Sequence, residues 1–410
     1  MHVTGVEESA AAAAPAADPS ARTALRATET AKAVGLAAAT MGANVVAVAF
    51  TIVFTRLLGT DGYGALAALL NLSVILFVPG SALQVAAARE GALGRLGHGG
   101  ELAGTLLRWM RHIALGLAVV AVASALLQEP LAALLNVEQS WAAAAVPPTA
   151  ALWFLVCIQR GLLQSARAYR PVGLSIVLEA IGRLAVGAVL VAAGLSVTGA
   201  YLGTLASLAI TAAVLAAVLR RRLGPPAPGT PPHPLRSLVR DAAVPIGALT
   251  VVAALQNVDV IMARHALDED AAGIYAAATV AAKAVVWIAV GIGLYVLPEA
   301  TRRAAEGLDP RTVLARGLAI IVLISGCALA VFAAVPRLLL KTAFGEEYAD
   351  GATILFTLGA AFALLACAYI AVQFLLGLRH RAFALVLLVV AAAEPVLLLG
   401  ADDLEGFART

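Results

Sequence analysis

The chain has 410 residues, of which 61% are hydrophobic and only 13% are charged, and its mean hydropathy is +0.93. Soluble domains carry about 25% charged residues, so this composition excludes a soluble globular protein and predicts one embedded in lipid. Ala, Leu, Val and Gly dominate the sequence, which suits helices that approach each other closely in a membrane. The net charge is +3, and no nucleic-acid partner is expected.

The first apolar run begins only near Lys32. It is preceded by an Ala/Pro-rich tract, AAAAAPAADPS, which is flanked by acidic residues. This composition is typical of a disordered segment rather than of a signal peptide. We therefore predict a disordered cytoplasmic tail over residues 1–31.

Eleven apolar segments follow, each long enough to cross about 30 Å of hydrocarbon, which takes roughly 20 helical residues. They predict an all-α polytopic membrane protein. The fourth segment contains Pro147 and Pro148 and the eleventh contains Pro395, so these two fit the pattern least well. The predicted spans are 33–55, 63–88, 106–127, 141–163, 172–193, 198–219, 242–263, 271–297, 317–336, 351–376 and 382–400.

Lys and Arg residues are distributed unevenly between the two sides of these spans. With the N-terminus in the cytoplasm, 21 of the 28 lie on the cytoplasmic side, 5 lie outside, and 2, Arg183 and Lys283, lie within spans. Cytoplasmic loops of membrane proteins are enriched in Lys and Arg. We therefore predict a multi-pass protein of the plasma membrane with its N-terminus in the cytoplasm.

A stretch rich in Pro and Arg, RRRLGPPAPGTPPHPLRSLVR, is the longest interior connection. It predicts an extended cytoplasmic linker over residues 223–240. The linker would separate an N-lobe of six spans, residues 32–222, from a C-lobe of five spans or six, residues 241–410.

The two halves share a short pattern. The first span leaves the membrane as TRLLGTDGYGALAALL, and the seventh leaves it as ARHALDEDAAGIYAAAT. Each stretch has an Arg, an acidic turn, and then Gly and Tyr at the start of the next helix. Because both halves start in the cytoplasm, the pattern predicts a parallel repeat about an axis along the membrane normal, as in many transporters.

Two longer stretches resemble a known family. FTRLLGTDGYGALAALLNLSVILFVPGSALQVAAARE is similar to the first hairpin of Wzx-type polysaccharide flippases, and NVDVIMARHALDEDAAGIYAAATVAAKAV is similar to their seventh and eighth helices. These flippases belong to the multidrug/oligosaccharidyl-lipid/polysaccharide exporter (MOP) superfamily. The likeness extends over most of residues 33–400.

The resemblance implies two six-helix lobes around a central cavity that opens alternately to each side of the membrane. It also implies flipping of a polyprenyl-diphosphate-linked glycan from the inner to the outer leaflet, by a monomer that contacts membrane lipid, uses no cofactor and is not an enzyme. Such proteins have 12 or 14 helices, whereas this chain stops at ADDLEGFART, where a twelfth would begin. We therefore expect either a truncated sequence or a C-lobe that is one helix short.

Two opposite charges, Asp259 and Lys283, lie in the apolar segments on either side of the acidic turn at residues 267–270. At a rise of ~1.5 Å per residue they lie roughly 12 and 18 Å below the outer surface, a difference that a lysine side chain can cover. A charge at this depth needs a partner or a cavity. We therefore predict an Asp259–Lys283 pair, which serves either as a structural ion pair or as a switch that couples transport to a proton or a sodium ion.

Three more ionisable residues lie in the interior of spans, away from the cytoplasmic helix ends: Glu179, Arg183 and Glu394. Glu179 and Arg183 lie at positions i and i+4, on one helix face. They either neutralise each other or leave Arg183 free to bind a phosphate, for which its planar guanidinium is suited. Glu394 precedes Pro395, which predicts a kink in the helix, and Glu394 could therefore have a role in helix packing. Alternatively, Glu394 is a candidate for ion coupling, as Asp259 and Glu179 are.

Candidate substrate ligands also lie outside these charged positions. Basic residues near the cytoplasmic face either form a vestibule for an anionic head group or follow from the positive-inside rule alone; they are Arg89, Arg108, Arg111, His112 and Arg160. Gln84 and Asn257 could bond to sugar hydroxyls or to a neighbouring helix. The predicted substrate-binding set is Arg183, Lys283, Arg108, Arg111, Gln84 and Asn257.

Two other functions remain open at this stage. A small-molecule or multidrug antiporter of the same superfamily would favour a cavity of acids and aromatic residues, whereas Arg183 and Lys283 favour an anion. A membrane-embedded glycosyltransferase or polymerase would need a large soluble loop or clustered catalytic residues. The sequence has no nucleophile–base pair, phosphate-binding loop or metal-ligand spacing, and its three cysteines are interpreted as small buried hydrophobic residues.

Overall fold

The computed structural model describes residues 19–227, 233–241, 243–378, 383–400 and 403–409. Within these ranges the chain folds into helices and has no strand. A π-helical turn at Val191–Leu195 and a 3-10 turn at Glu346–Gly351 complete the helical structure. The α-helices are α1 (Pro19–Ala92), α2 (Gly100–Leu126), α3 (Gln128–Leu135), α4 (Ser140–Ser165), α5 (Tyr169–Leu190), α6 (Ser196–Leu223), α7 (Leu235–Asp241), α8 (Ala243–Leu255), α9 (Val258–Ala266), α10 (Glu269–Ala305), α11 (Arg311–Ala334), α12 (Pro336–Ala343), α13 (Ala352–Gly377), α14 (Phe383–Leu398) and α15 (Leu404–Arg409).

Seven helical stretches of the described chain are long and apolar enough to cross a membrane. Two of them, Ala38–Ala92 and Tyr169–Leu223, have 55 residues each. The first bends at Gly59, where φ is 70°, and the second bends at Gly194, where φ is 92°. Positive φ is accessible to Gly at little cost because it has no Cβ. Each of these long stretches therefore covers two of the predicted spans.

The two remaining predicted spans are short or broken. The seventh is divided into α8 and α9 at Gln256 and Asn257, and the eleventh is α14, whose apolar part is Leu385–Leu398. A broken helix exposes backbone groups, which membranes tolerate only next to protein or a cavity. The break between α8 and α9 is thus a place where a site is expected.

The helices form the predicted two lobes. Helices α1 to α6 pack mainly on one another, α8 to α15 do likewise, and the lobes meet where α1 contacts α8, α9 and α10. Small residues allow close approach within a lobe: a Cβ added to Gly203 on α6 would lie only 2.5 Å from the backbone nitrogen of Gly187 on α5. Such contacts let helices pack in lipid, where burial of apolar surface gives no preference for protein over lipid tails.

The N-terminal segment differs in part from the expectation of a disordered tail. Helix α1 begins at Pro19, so residues 19–31 are helical, while residues 1–18 of the predicted tail lie outside the described residues. The cysteines also differ from the prediction in one respect: Cys157 is buried and Cys367 is half-buried, but Cys327 is exposed.

The described parts of the linker lie against α2 rather than extending freely. The backbone nitrogen of Ala227 donates to the carbonyl of Gly100 at 2.9 Å, and the indole nitrogen of Trp109 donates to the carbonyl of His233 at 2.8 Å. The linker then ends in α7, a helix of seven residues. This packing holds the linker close to the N-lobe.

Candidate functional site between the two lobes

A cavity of about 230 Å³ lies between the lobes, beside the break that separates α8 from α9. We call it the central cavity. Helices α1 and α5 of the N-lobe and α9 and α10 of the C-lobe supply its wall. Its polar lining consists of Thr51, Tyr63, Asn71, Arg183, Gln256, Asn257, Thr279 and Lys283. Three of the predicted substrate ligands, Arg183, Asn257 and Lys283, thus share one cavity.

Lys283 lies at the wall of the central cavity, held by groups from both lobes. Its Nζ donates to Oδ1 of Asn71 at 3.1 Å and lies 3.5 Å from Oδ1 of Asp259. The ring centroid of Phe362 is 5.3 Å away. Asn71 donates its own amide to the carbonyl of Ala67 at 2.8 Å, which turns its side-chain oxygen towards Lys283. The Asp259–Lys283 pair expected from depth alone is present.

Asp259 lies in the first turn of α9, directly after the helix break, and is only 6% exposed. A helix N-terminus favours a negative charge. Its Oδ2 accepts a hydrogen bond from the hydroxyl of Tyr275 at 3.2 Å, whereas its Oδ1 is buried without a hydrogen-bond partner. The ammonium of Lys283 lies 3.5 Å from Oδ1, farther than the roughly 2.7–2.9 Å of a charge-assisted hydrogen bond, so this carboxylate is incompletely satisfied.

Arg183 reaches the central cavity from α5. Its guanidinium carbon lies 4.6 Å from the ring centroid of Phe50, an arrangement that stabilises a cation by its attraction to the aromatic face. Its Nε is buried and has no hydrogen-bond partner. Arg183 therefore has a donor available for an anion that enters the cavity.

Glu179 is bound by Arg160 of α4. Oε2 of Glu179 lies 2.7 Å from Nη2 of Arg160, and Nε of Arg160 donates to Oγ of Ser175 at 3.0 Å. Glu179 is thus hydrogen-bonded to a residue of the neighbouring helix rather than to Arg183, the partner that the i, i+4 spacing suggested. Arg160 is also only 3% exposed, so it does not belong to an open vestibule.

The other predicted residues lie elsewhere. Arg108 and Arg111 are exposed on α2, and Gln84 donates to Oε1 of Gln164 within the N-lobe at 3.3 Å; none of the three lines the central cavity. Glu394 lines a separate cavity inside the C-lobe, which Asp259 also lines. Among the described residues, no group of three or more His, Cys, Asp or Glu side chains is placed to hold a metal ion.

The two lobes are joined by polar contacts on the face that carries Gly59 and the α9–α10 connection. We call the facing segments, residues 56–63 and 264–275, the closed face. Across it, Oγ1 of Thr60 donates to Asp270, and Nη1 of Arg264 lies 2.9 Å from Oδ1 of Asp61. Buried Arg264, 4% exposed, thus ties α9 to α1.

The closed face is built from the two copies of the short sequence pattern. A Cβ added to Gly64 would lie 3.1 Å from the backbone of Gly273, and a Cβ added to Gly273 would lie 1.9 Å from the carbonyl oxygen of Thr60. The glycines therefore permit backbone contact between the lobes. Sequence reasoning found the repeated pattern but not this contact, which joins Gly273 of the second copy to Gly64, the residue that follows Tyr63 in the first copy and adjoins the closed face.

The central cavity is exposed away from the closed face. Among its lining residues, Val74 and Trp287 lie far along α1 and α10 from the closed face and are 46% and 47% exposed. The lobes are thus in contact at the closed face, whereas the cavity is exposed beside Val74 and Trp287.

The model of the polysaccharide biosynthesis protein family matches residues 30–298, which is more than half of the chain. The chain belongs to this family. The matched region of this polysaccharide biosynthesis protein includes Arg183, Asp259 and Lys283. No curated protein matches the sequence.

Solved structures of MOP superfamily transporters share the fold of this family member. An inward-facing multidrug resistance MATE family transporter has a TM-score of 0.71 at 13% identity, with 92% of this chain and 93% of that chain covered. An outward-facing one has a TM-score of 0.58 at 16% identity, with coverage of 92% and 90%. A Pyrococcus furiosus transporter, for which a binding pocket of reverse polarity is described, has a TM-score of 0.55 at 15% identity, with coverage of 92% and 91%. At these identities the likeness establishes the fold.

Proposed function

We propose that this protein is an alternating-access transporter in the plasma membrane that flips a lipid-linked oligosaccharide, diphosphate head first, from the inner to the outer leaflet. One observation carries the proposal: Arg183 of the N-lobe and Lys283 of the C-lobe line the same cavity at the lobe interface. The polysaccharide biosynthesis family and the MOP fold support the substrate class and the type of movement.

The chemistry of the cavity suits an anionic head group. Arg183 has a buried donor without a partner, and Lys283 is held by Asp259 at a loose 3.5 Å. A diphosphate would offer both cations stronger, charge-assisted hydrogen bonds. The volume of about 230 Å³ suits a head group, so the glycan would extend through the side of the cavity away from the closed face.

The interlobe contacts support alternating access. With the predicted orientation, the closed face is extracellular and the described conformation is open to the cytoplasm. The higher TM-score against the inward-facing than the outward-facing structure, 0.71 against 0.58, agrees with this assignment. When the closed face opens, Arg264 would lose Asp61 of the N-lobe. It would keep Glu269 of its own lobe, which lies 3.7 Å away.

Asp259 is the proposed coupling residue. When a substrate diphosphate binds Lys283 in place of Asp259, Asp259 loses its counter-ion. It then becomes an unpaired buried carboxylate, which is strongly unfavourable. A proton or a sodium ion would then neutralise it. Binding of the anion and binding of the cation would thereby become linked, since each makes the free energy of binding the other more favourable.

The test is flipping of a fluorescent polyprenyl-diphosphate sugar by the purified protein in liposomes. Arg183→Ala and Lys283→Ala should each reduce the rate about tenfold or more, since loss of a charge-assisted contact is worth roughly 1.5–3 kcal/mol, while the amount of folded protein stays the same. Arg108→Ala, at an exposed arginine outside the cavity, is the matched control. Normal flipping by both cavity variants, or export of a cationic dye without flipping, would reject the proposal.

The state of the closed face can be tested separately. A Thr60→Cys/Asp270→Cys pair should form a crosslink that stops flipping, and reduction should restore it. Labelling of Ala271→Cys but not Ala227→Cys by an impermeant reagent in intact cells should confirm that the closed face is extracellular. The opposite labelling pattern would reverse the proposed direction.

A further inference from the structure

Two short helices, α3 of the N-lobe and α12 of the C-lobe, occupy equivalent places in the repeat. Each has 8 residues, and α3 precedes α12 by the same number of residues as Arg56 precedes Arg264. Each lies beside the opposite lobe, since α3 contacts α9 and the 3-10 turn after α12 contacts α1. The lobes therefore meet at two repeat-related places beyond the contacts already described.

The 3-10 turn after α12 supplies a cap for the N-lobe. The hydroxyl of Tyr348, a residue that is 0% exposed, lies 2.9 Å from the carbonyl oxygen of Gly59 and 3.2 Å from that of Thr55. These carbonyls belong to the end of the first half of α1, at the Gly59 bend, and the last carbonyls of a helix lack partners within it. Tyr348 thus donates across the lobe interface to a helix end.

The end of α3 supplies the corresponding cap for the C-lobe. The side-chain amide of Asn136 donates to the carbonyl of Arg264, in the last turn of α9. Asn136 directly follows α3 and has a φ of 49°, a left-handed conformation that is common at helix C-termini and that Asn tolerates. Asn136 and Tyr348 therefore play the same part from opposite lobes.

The arginines of the repeated pattern return these contacts. Nη2 of Arg56 donates to the carbonyl of Thr342, near the end of α12, at 3.1 Å. Nε of Arg264 donates to the carbonyl of Asn136, at the end of α3, at 3.2 Å. Cationic side chains are favourable at helix C-termini, where the carbonyls carry partial negative charge. Each lobe thus caps helix ends of the other lobe and has its own helix ends capped in return.

We propose that α3 and α12 form a two-part gate, in which this reciprocal capping of helix ends holds the closed face shut. Separation of the lobes breaks both sets of contacts and leaves helix ends of both lobes to water. The two sets share no residue, so each contributes separately to the stability of the closed state. The contacts themselves do not depend on a substrate, whereas their role as a gate rests on the alternating access of the proposed function.

The labelling rate of a cysteine buried behind the gate measures how often the closed face opens. Ala272 is 2% exposed, and its backbone adjoins the contact of Gly64 with Gly273, so Ala272→Cys should react with a maleimide only when the lobes separate. The purified full-length protein is used in lipid nanodiscs, with the three native cysteines replaced by Ala. Because the rate is proportional to the open fraction, it reports opening even when the open state is rare.

Two substitutions remove one cap each with little other change. Tyr348→Phe keeps the ring against Tyr63, and Asn136→Gly keeps the positive φ at little cost. Each should raise the labelling rate about fivefold, as expected for loss of one neutral hydrogen bond, and the double variant should raise it by the product of the two factors. Tyr369→Phe is the matched control, because the hydroxyl of Tyr369 accepts a hydrogen bond from Gln373 of its own helix, and it should leave the rate unchanged.

Thermal unfolding of each variant shows that it is folded. Unchanged labelling in the two cap variants would overturn the gate, and an equal increase in Tyr369→Phe would do the same, since it would indicate general loosening. An increase in only one cap variant would show that the capping is not reciprocal. Faster labelling of both cap variants, in a protein that flips no lipid-linked sugar, would reject the transport function and leave the gate standing.

Discussion

Each lobe contains a largely buried ion pair, and the two pairs differ in how well their atoms are satisfied. In the N-lobe, Arg160 and Glu179 are 2.7 Å apart, and a hydroxyl of the same lobe takes another guanidinium donor. In the C-lobe, Lys283 and Asp259 are 3.5 Å apart, and one oxygen of Asp259 has no hydrogen-bond donor.

The surroundings of the two pairs explain this difference. The N-lobe pair connects α4 to α5 and does not line the central cavity, whereas the C-lobe pair forms the wall between the central cavity and the separate cavity inside the C-lobe. A tight pair is costly to separate, but a loose pair beside a cavity can exchange its partners. Buried ionisable residues thus divide into structural and exchangeable ones by the geometry of their partners.

Breaking the N-lobe pair should have the largest effect. Arg160→Met leaves Glu179, whose side chain is 19% exposed, without its counter-ion, and loss of one partner of a buried pair typically costs about 3–5 kcal/mol. Thermal and denaturant unfolding of the purified protein should show a loss of this size. Arg160→Met/Glu179→Gln should recover most of it, because neither charge then remains unpaired. If the Arg160→Met protein is as stable as the wild type, this pair has no structural role.

A double-mutant cycle on the C-lobe pair should give a smaller coupling free energy than the corresponding cycle on the N-lobe pair. Lys283→Met and Asp259→Asn, alone and together, are expected to show a coupling free energy of roughly 1 kcal/mol, since the pair is longer and lies beside two cavities. Unfolding of the four proteins under one condition supplies the measurement. A coupling free energy as large as that of Arg160 and Glu179 would show that both pairs are structural and would contradict the proposed difference between them.

Substitution of Arg183 should weaken anion binding while leaving the stability of the protein nearly unchanged. Arg183→Met keeps the volume over Phe50 and removes a buried donor that has no partner, so the free energy of unfolding should change by less than about 0.5 kcal/mol. Pyrophosphate affinity, measured by titration calorimetry, should fall about tenfold through loss of one charge-assisted contact. A stability loss comparable to that of Arg160→Met would show that Arg183 has a structural partner.

The exposed arginines should have the smallest effect. Arg108→Ala and Arg111→Ala remove charges from the exposed face of α2, and each should change stability by less than about 0.5 kcal/mol. Flipping should stay near the wild-type rate at physiological salt, because exposed charges are screened beyond ~8 Å. If either variant flips as poorly as Arg183→Ala, the basic vestibule predicted from the sequence contributes to substrate binding.

Much of the architecture was accessible from the sequence, because each part of it depends on a short stretch of chain. A run of about 20 apolar residues must form a helix in hydrocarbon, where every backbone group needs an internal partner. The described residues of the predicted spans are mainly helical, and the seventh span is broken at Gln256 and Asn257. The Asp259–Lys283 pair was also predictable, since the two residues flank one turn and their depths follow from the helical rise.

Contacts between distant segments were decided by the tertiary structure alone. The spacing of Glu179 and Arg183 indicated a pair on one helix, but α4 lies beside α5 and brings Arg160 closer. The contact of Gly64 with Gly273 and the meeting of Asp259 and Glu394 in the cavity inside the C-lobe likewise depend on which helices are neighbours. Hydrophobicity along a helix places it in the membrane, but lipid is as apolar as the protein core, so only close packing and polar contacts between helices determine their neighbours.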